Sequence, residues 1–346
     1  MTGSVILDRV NDQQGITYRS ITFRRDGLAL AGHLFVPEGF DEDGSYPAVI
    51  VQGSFTSVKE QMPDAYARLF AERGYVALTF DYAYYGESDG MPRQYEDPAE
   101  KLADLRAAVS RLLGVSFVSA VGMVGVCTSA TNGVYLAAED DRLAGIATIA
   151  GMIASPQILR AAYGDAGIAR RIDDARAARR KFDETGEATT IPVYSETDPA
   201  AVNYRPTPGA YDYYLNPERG KVPQYINLFD VRSWDGWLGL DPLPRATRVT
   251  TPTIVVHSDG SAMPDQARAL YTALPGEKEL AWLDGNHFDY YDDPARMAAA
   301  VDRVVGFFDR HIRLELRECA RSGLGAALSG GGDEVALAQR FARRQG

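Results

Sequence analysis

The chain is poor in the residues that make covalent cross-links and metal sites. Its 346 residues include two cysteines, Cys127 and Cys319, and four histidines. Two cysteines make no disulfide framework, and no zinc-ligand spacing is present. Positive charge is short as well: 36 lysines and arginines face 47 aspartates and glutamates, for a formal net charge of -11. That balance argues against a polyanionic partner, and no nucleic-acid module accompanies it, so nucleic acid is not expected as a partner. Long apolar runs are missing. The first eleven residues have no basic segment followed by an apolar stretch, and nothing downstream could span a bilayer. A cytoplasmic location with no membrane partner is therefore the expectation. There is no phosphate-cradling P-loop and no dinucleotide fingerprint after a strand, so no metal or organic cofactor is expected.

What the chain does have is an alternation. Residues 17–24 and 28–36 alternate apolar with polar on either side of Asp26-Gly27, a hairpin signal. Short apolar runs of the kind a buried parallel strand requires follow at 47–52, 75–81, 120–126 and 143–150. Helical patterns separate them at 58–73 (closed by Gly74), at 97–113 (with Asp97 as cap and Pro98 in the first turn) and at 127–138. Strand and helix in turn imply right-handed crossovers and a mostly parallel sheet flanked by helices, an α/β class.

The alternation stops at Gly151. Residues 152–249 carry a charged helical pattern at 170–181 and a Pro- and Tyr-rich stretch holding Tyr194, Tyr204, Tyr211, Tyr213 and Tyr214. Strand and helix then resume at 252–257, 264–274, 279–283 and 294–316. The expected division is a core in two parts, 1–151 and 250–316, with 152–249 inserted as a cap over the site. The remaining 317–346, with Gly330-Gly331-Gly332, reads as a tail and a candidate surface for homo-oligomer formation.

Two segments compete to supply a nucleophile. Gly86-Glu87-Ser88-Asp89-Gly90 has the letters of G-x-S-x-G, but that motif works only where a strand turns sharply into a helix. Ser88 lies well past the end of its strand, and Gly90, Pro92 and Pro98 continue no helix. Gly125-Val126-Cys127-Thr128-Ser129 has the required setting: an apolar strand runs in and a helix runs out. Gly125 and Ser129 are small enough for strand and helix to approach, and a helix N-terminus favours thiolate at Cys127. The bland alternative is a buried structural cysteine.

Chain order then asks for an acid followed by a histidine. His33 sits in the hairpin, His257 in a strand and His311 late in a helix. His287, in Asp284-Gly285-Asn286-His287-Phe288-Asp289, falls in the loop between the last strand and the last helix, where a general base is wanted. Asp259 follows the strand ending at His257 and is the expected acid, although Asp259-Gly260-Ser261 is also good turn chemistry. Two backbone N–H groups, of Thr128 after the nucleophile and of Phe55 in the Gly53-Ser54-Phe55-Thr56 loop, are the expected oxyanion donors.

With these residues in view, the chain resembles the α/β-hydrolase superfamily over nearly its whole length. Asp81-Tyr82-Ala83-Tyr84-Tyr85-Gly86-Glu87-Ser88 looks like that superfamily's loop after its fourth strand, and the cysteine elbow is similar to dienelactone hydrolases. The elbow, Val58-Lys59-Glu60-Gln61 and His287-Phe288-Asp289-Tyr290-Tyr291-Asp292 together resemble a bacterial branch that includes fungal polyketide transferases. That branch usually has glycines after the elbow, where this chain has Ala130-Thr131. Lys59 and Glu60 read as features of a helix start.

These residues lead to an expected cysteine-dependent hydrolase acting on a small-molecule acyl substrate. Thiolate is a far weaker base than a simple alkoxide, so a cysteine enzyme favours enol lactones, aryl esters and thioesters, whose leaving groups compete with sulfur. Acyl transfer or cyclisation of a polyketide-like thioester is the second expectation. A catalytically silent small-molecule binder of the same fold is the third.

Overall fold

The structure, a computed structural model, describes residues 8–13, 16–204 and 209–326. The chain opens with three antiparallel strands, β1 (Asp8–Gln13), β2 (Ile16–Arg25) and β3 (Leu28–Val36). The turn from β2 to β3 falls on Asp26-Gly27, both at positive φ. The alternation follows: β4 (Tyr46–Gln52), α1 (Met62–Ala71), β5 (Val76–Phe80), α2 (Pro98–Leu113), β6 (Val118–Val126), α3 (Thr128–Ala137) and β7 (Gly145–Ile149). Every residue of β5 and β7 is buried, as the apolar runs demand of strands covered on both faces.

One expected helix is shorter than its pattern. Residues 58–61 stay outside α1, because the backbone N–H and the Nζ of Lys59 are both tied to Asp81. Asp97 caps α2 as anticipated, accepting from the N–H groups of Ala99 and Glu100.

After β7 comes the long excursion. It holds α4 (Pro156–Thr185), broken at Gly164, then β8 (Thr190–Pro192), β9 (Tyr194–Ser195), β10 (Asn203–Tyr204) and α5 (Ala210–Leu215). It ends through β11 (Leu228–Asp230), a 3-10 turn, α6 (Trp234–Trp237) and α7 (Leu243–Ala246). The core resumes with β12 (Thr253–His257), α8 (Pro264–Ala273), β13 (Lys278–Trp282), α9 (Asp289–Asp292) and α10 (Pro294–Ala326).

The nine-stranded sheet has the order β1-β2-β3-β5-β4-β6-β7-β12-β13, parallel from β5 onward. β7 and β12 are neighbours, so the whole excursion leaves and re-enters the sheet between adjacent strands. α10 lies on the sheet where Gly122 and Gly145 leave room; a Cβ at either would come within 3.1 Å of Phe308. The last helix runs on to Ala326 rather than ending near 316, as no proline interrupts it. The remaining residues 327–346, with the glycine triplet, lie outside the described residues. No helix among the described residues is long and apolar enough to cross a membrane.

Candidate active site

The loops at the C-terminal ends of β4, β6 and β13 converge on Cys127. That edge of a parallel sheet is where α/β folds place their ligands. Cys127 follows β6 and precedes α3, with φ 54° and ψ −116°, a conformation that costs a non-glycine residue on the order of 1–3 kcal/mol. The surroundings over-determine it. Its N–H donates to Ile149 (3.0 Å), and its carbonyl accepts from Ala130 (3.1 Å) and Met152 (2.9 Å). Gly125 is obligatory here: a Cβ would stand 2.2 Å from the Ser129 carbonyl oxygen. Ala130 of the departure from the expected glycines touches Gly151, where a Cβ would lie 2.8 Å away, and Thr131 Oγ1 donates to Met152 O at 2.8 Å. The larger residues therefore pack the start of α3 against the strand–loop turn after β7.

The Cys127 sulfur is buried but faces donors. The backbone N–H groups of Thr128 and Phe55 lie near it and the Thr128 hydroxyl is 3.7 Å away. Burial pushes the thiol above its ordinary value, and the Tyr291 hydroxyl and these N–H groups pull in the opposite direction. The Phe55 loop is set by its neighbours. Thr56, at φ 57°, takes a hydrogen bond from its N–H to Glu96 (3.3 Å), and Glu96 is paired with buried Lys101. Lys59, in the same loop, is 1% exposed and bonds Asp81, Glu60 and Glu87. It clamps the loop after β4 to the loop after β5. Lys59 and Glu60 are thus structural, but as a bridge between two loops rather than as a helix start. His33, Glu60 and Glu87 bring ligand atoms within 4.8 Å of one another, yet the Lys59 ammonium already bonds both carboxylates.

Ser88 is structural as well. Its Oγ donates to Asp81 O (2.5 Å) and accepts from the Ala31 N–H (2.9 Å), which fixes the loop to β3.

His287 is delivered by the loop after β13, its N–H donating to Gly260 O at 3.1 Å. Burial alone lowers its pKa to about 4. Nε2 lies 3.1 Å from the Tyr291 hydroxyl, and Nδ1 accepts from the Ala262 N–H at 3.3 Å. The expected acid is not there. Asp259 is 76% exposed, and its carboxylate accepts from Arg268 at 2.7 Å, while the Arg268 guanidinium stacks 3.9 Å over the Trp282 ring. An exposed cation anchored on an indole holds the carboxylate outward. The place an acid would fill at Nδ1 is taken by a backbone N–H of the same loop. The other histidines are engaged elsewhere: His33 with Asp64 (2.8 Å), His257 with Ala262 O (3.1 Å) and His311 with Glu277 (3.0 Å).

The excursion reaches the site through tyrosines. The Tyr214 hydroxyl bonds Ser54 Oγ, Tyr194 stacks on Tyr214 at 4.5 Å, and Tyr291 meets Tyr214 edge-on at 6.2 Å. Tyr194, Tyr214 and Tyr291 all lie near the Cys127 sulfur. Two further ties seat the excursion beside the His287 loop: Arg219 grips Asp292 with two bonds (2.6 and 2.8 Å), and Gln61 donates to Gly220 O at 2.6 Å. A cleft of about 640 Å³ lies among Arg170, Arg171, Lys181, Pro199 and Trp234, and neither Cys127 nor His287 lines it. Phe229 packs between Trp234 (4.9 Å), which lines that cleft, and Phe55 (5.7 Å). Neither Tyr291 nor Tyr214 has a role that the sequence alone assigns. Tyr291 did carry a signal: it stands four residues after His287, one helical turn on.

A parallel sheet with a strained strand–helix elbow at its C-terminal edge, and a histidine loop after its last strand, defines the α/β-hydrolase fold. The chain belongs to the alpha/beta hydrolase family, whose model matches residues 48–300. It is 30% identical to uncharacterized protein PA2218 of Pseudomonas aeruginosa over 309 residues, 86% of this chain and 81% of that protein. The crystal structure of that protein superposes with a TM-score of 0.76 at 26% identity, covering 89% of this chain and all (100%) of the other. A thiohydrolase, aneE, of Aspergillus aculeatus is 27% identical over 80% of this chain and 88% of its own length. A polyketide transferase, claH, of Penicillium crustosum is 34% identical over 36% of this chain and 41% of its own.

Proposed function

We propose that the protein is a cysteine-dependent acyl-transfer enzyme that cleaves an activated ester, lactone or thioester through an acyl thioester on Cys127. The observation that carries this reading is the elbow itself: a cysteine at φ 54° whose sulfur has the N–H groups of Thr128 and Phe55 close by. A structural cysteine needs neither the strain nor the donors. When the sulfur attacks an acyl carbonyl, the carbonyl oxygen becomes an oxyanion, and those two N–H groups are the donors proposed to receive it. Collapse expels the leaving group and leaves the acyl chain on sulfur. Among acyl donors thioesters fit best, because the leaving thiolate matches Cys127 as a leaving group. The thiohydrolase relative supports that choice.

The test is release of free thiol from simple acyl thioesters. Wild type should turn over and Cys127→Ala should not; equal turnover by both would end the proposal.

The acceptor has a second reading. Tyr194, Tyr214 and Tyr291 shut the sulfur away, with Tyr214 1% and Tyr291 2% exposed. An acyl-enzyme kept from bulk water survives long enough to meet an alcohol, amine or internal carbon nucleophile. The polyketide transferase relative favours the same idea. Added alcohols or amines should then give conjugates in preference to free acid; free acid alone would establish hydrolysis.

A further inference from the structure

The cleft beside α4 has a volume of about 640 Å³, within the ordinary range for a small-molecule site. Arg170, Asp174, Ala177 and Lys181 line it from α4 at steps of three and four residues, so they share one stripe of that helix. The ribbon of β8 and β11 and the turn after it supply apolar lining in Ile191, Val231 and Trp234. Ala177 and Ala178, both small, leave the space along the helix open.

Charge in this cleft runs against that of the chain, whose formal net charge is -11. Arg170, Arg171 and Lys181 line it with one carboxylate, Asp174. Elsewhere on α4 arginines meet carboxylates: Arg160 with Asp165 at 2.8 Å, Arg176 with Asp173 at 3.6 Å and Arg179 with Asp235 at 3.0 Å. Lys181 has Glu187 at 3.4 Å. Among the described residues Arg170 and Arg171 form no ion pair.

Arg171 is also fixed in orientation. Its guanidinium lies 3.9 Å over the Tyr163 ring and 4.8 Å over the Trp234 ring, and those two rings meet edge-on at 5.8 Å. One amino group donates to Gly167 O at 3.1 Å, whereas the buried Nε has no acceptor among the described residues. A planar cation is thus held in place in advance, with hydrogen-bonding capacity still unmet. Burial lowers its pKa from the ordinary arginine value, the direction expected of a cation whose charge is incompletely matched.

We propose that this cleft is a binding site for an organic monoanion, a carboxylate on an apolar chain, with the carboxylate on Arg171 and Arg170 and the chain along Ala177 and Ala178. The site is additional to the acyl transfer assigned to Cys127 and does not depend on it. Guanidinium suits a carboxylate because two parallel N–H groups can meet its two oxygens. Lys181 is ten residues beyond Arg171, about 15 Å along a helix, so the two cations do not share one head group. Between them the cleft offers alanine, isoleucine, valine and indole surface, which takes a chain rather than a second charge. Asp174, one helical turn past Arg170, opposes a second negative charge, which favours a carboxylate over a phosphate monoester.

Isothermal titration with octanoate tests the site, with octanamide as the uncharged chain and octyl phosphate as the alternative head group. Octanoate should bind one to one, equally in wild type and in Cys127→Ala, and octanamide about 10-fold more weakly or less. Arg171→Gln should weaken octanoate by about 10-fold, and so should Arg170→Gln, whose exposed position leaves the fold intact. Ala177→Trp, also at an exposed position, should fill the cleft and abolish binding, with the circular dichroism and Tm of wild type. Octanoate binding that is unchanged in the arginine variants and in Ala177→Trp, or matched by octanamide, would overturn the proposal. So would binding that is lost in Cys127→Ala, octyl phosphate binding tighter than octanoate, or no saturation below about 10 mM.

Discussion

Nζ of Lys59 lies 2.8 Å from Oδ2 of Asp81, and the two side chains are 1% and 0% exposed. Asp81 also accepts the Lys59 and Glu87 N–H groups, each at 2.9 Å, so one carboxylate knits the loops after β4 and β5 together. Breaking such a pair from one side leaves a buried charge unmatched. Lys59→Met should therefore destabilise the fold by roughly 3–5 kcal/mol, read from urea unfolding. Lys59→Met with Asp81→Leu should recover part of that loss, because the most deeply buried of the carboxylates left unmatched is removed as well.

Gly125 gives a second prediction. With a Cβ only 2.2 Å from the Ser129 carbonyl oxygen, Gly125→Ala must push the strand and α3 apart. The expected loss is about 3 kcal/mol in denaturant, with acylation impaired as the elbow opens. Wild-type stability in this variant would mean that the elbow is looser than the packing implies.

Asp259 supplies a third. Its carboxylate is bound to Arg268 and turned to solvent, away from His287. Asp259→Asn should leave the rate of acylation by an acyl thioester unchanged, whereas His287→Ala should lower it strongly. A fall as large for Asp259→Asn would show that the loop carries the carboxylate inward during the reaction.

Two histidines predict an acid-sensitive fold. Burial lowers both His257 and His287 to about 4, and His257 also feels His287. In the unfolded chain they titrate near the ordinary value of about 6.5. Below that pH the unfolded state binds protons that the folded state refuses, so stability falls from about pH 6.5 down to about pH 4. Each contributes roughly 3 kcal/mol to that slope. Denaturant unfolding across this range should show the slope, and His257→Gln or His287→Gln should flatten it.

Legibility in the sequence followed the range of the interaction. The elbow was readable because everything it needs is local: an apolar strand, a small residue at 125, a small residue at 129 and a helix after Cys127. Asp97 as a cap and Asp26-Gly27 as a turn were readable for the same reason. The side-chain partners were not. Asp259 has the right place in chain order, but its direction is decided by Arg268 on the next helix and Trp282 on the next strand. Lys59 looked like a helix start because its partner Asp81 is 22 residues away. Tyr291 lay within a quoted motif, yet its relation to Cys127 exists only after β6 and the His287 loop have been brought together. The excursion was recognisable by where the alternation failed, but not its contacts, since its tyrosines pack across the chain rather than along it.

The central claim is that Cys127 carries the acyl group. Intact-protein mass spectrometry after brief exposure to a panel of acyl thioesters tests it most directly, comparing wild type with Cys127→Ala. The account predicts a single acyl increment on wild type, mapped to Cys127 by peptide analysis, and none on the variant. An increment that survives Cys127→Ala, at Ser88 or anywhere else, would contradict it.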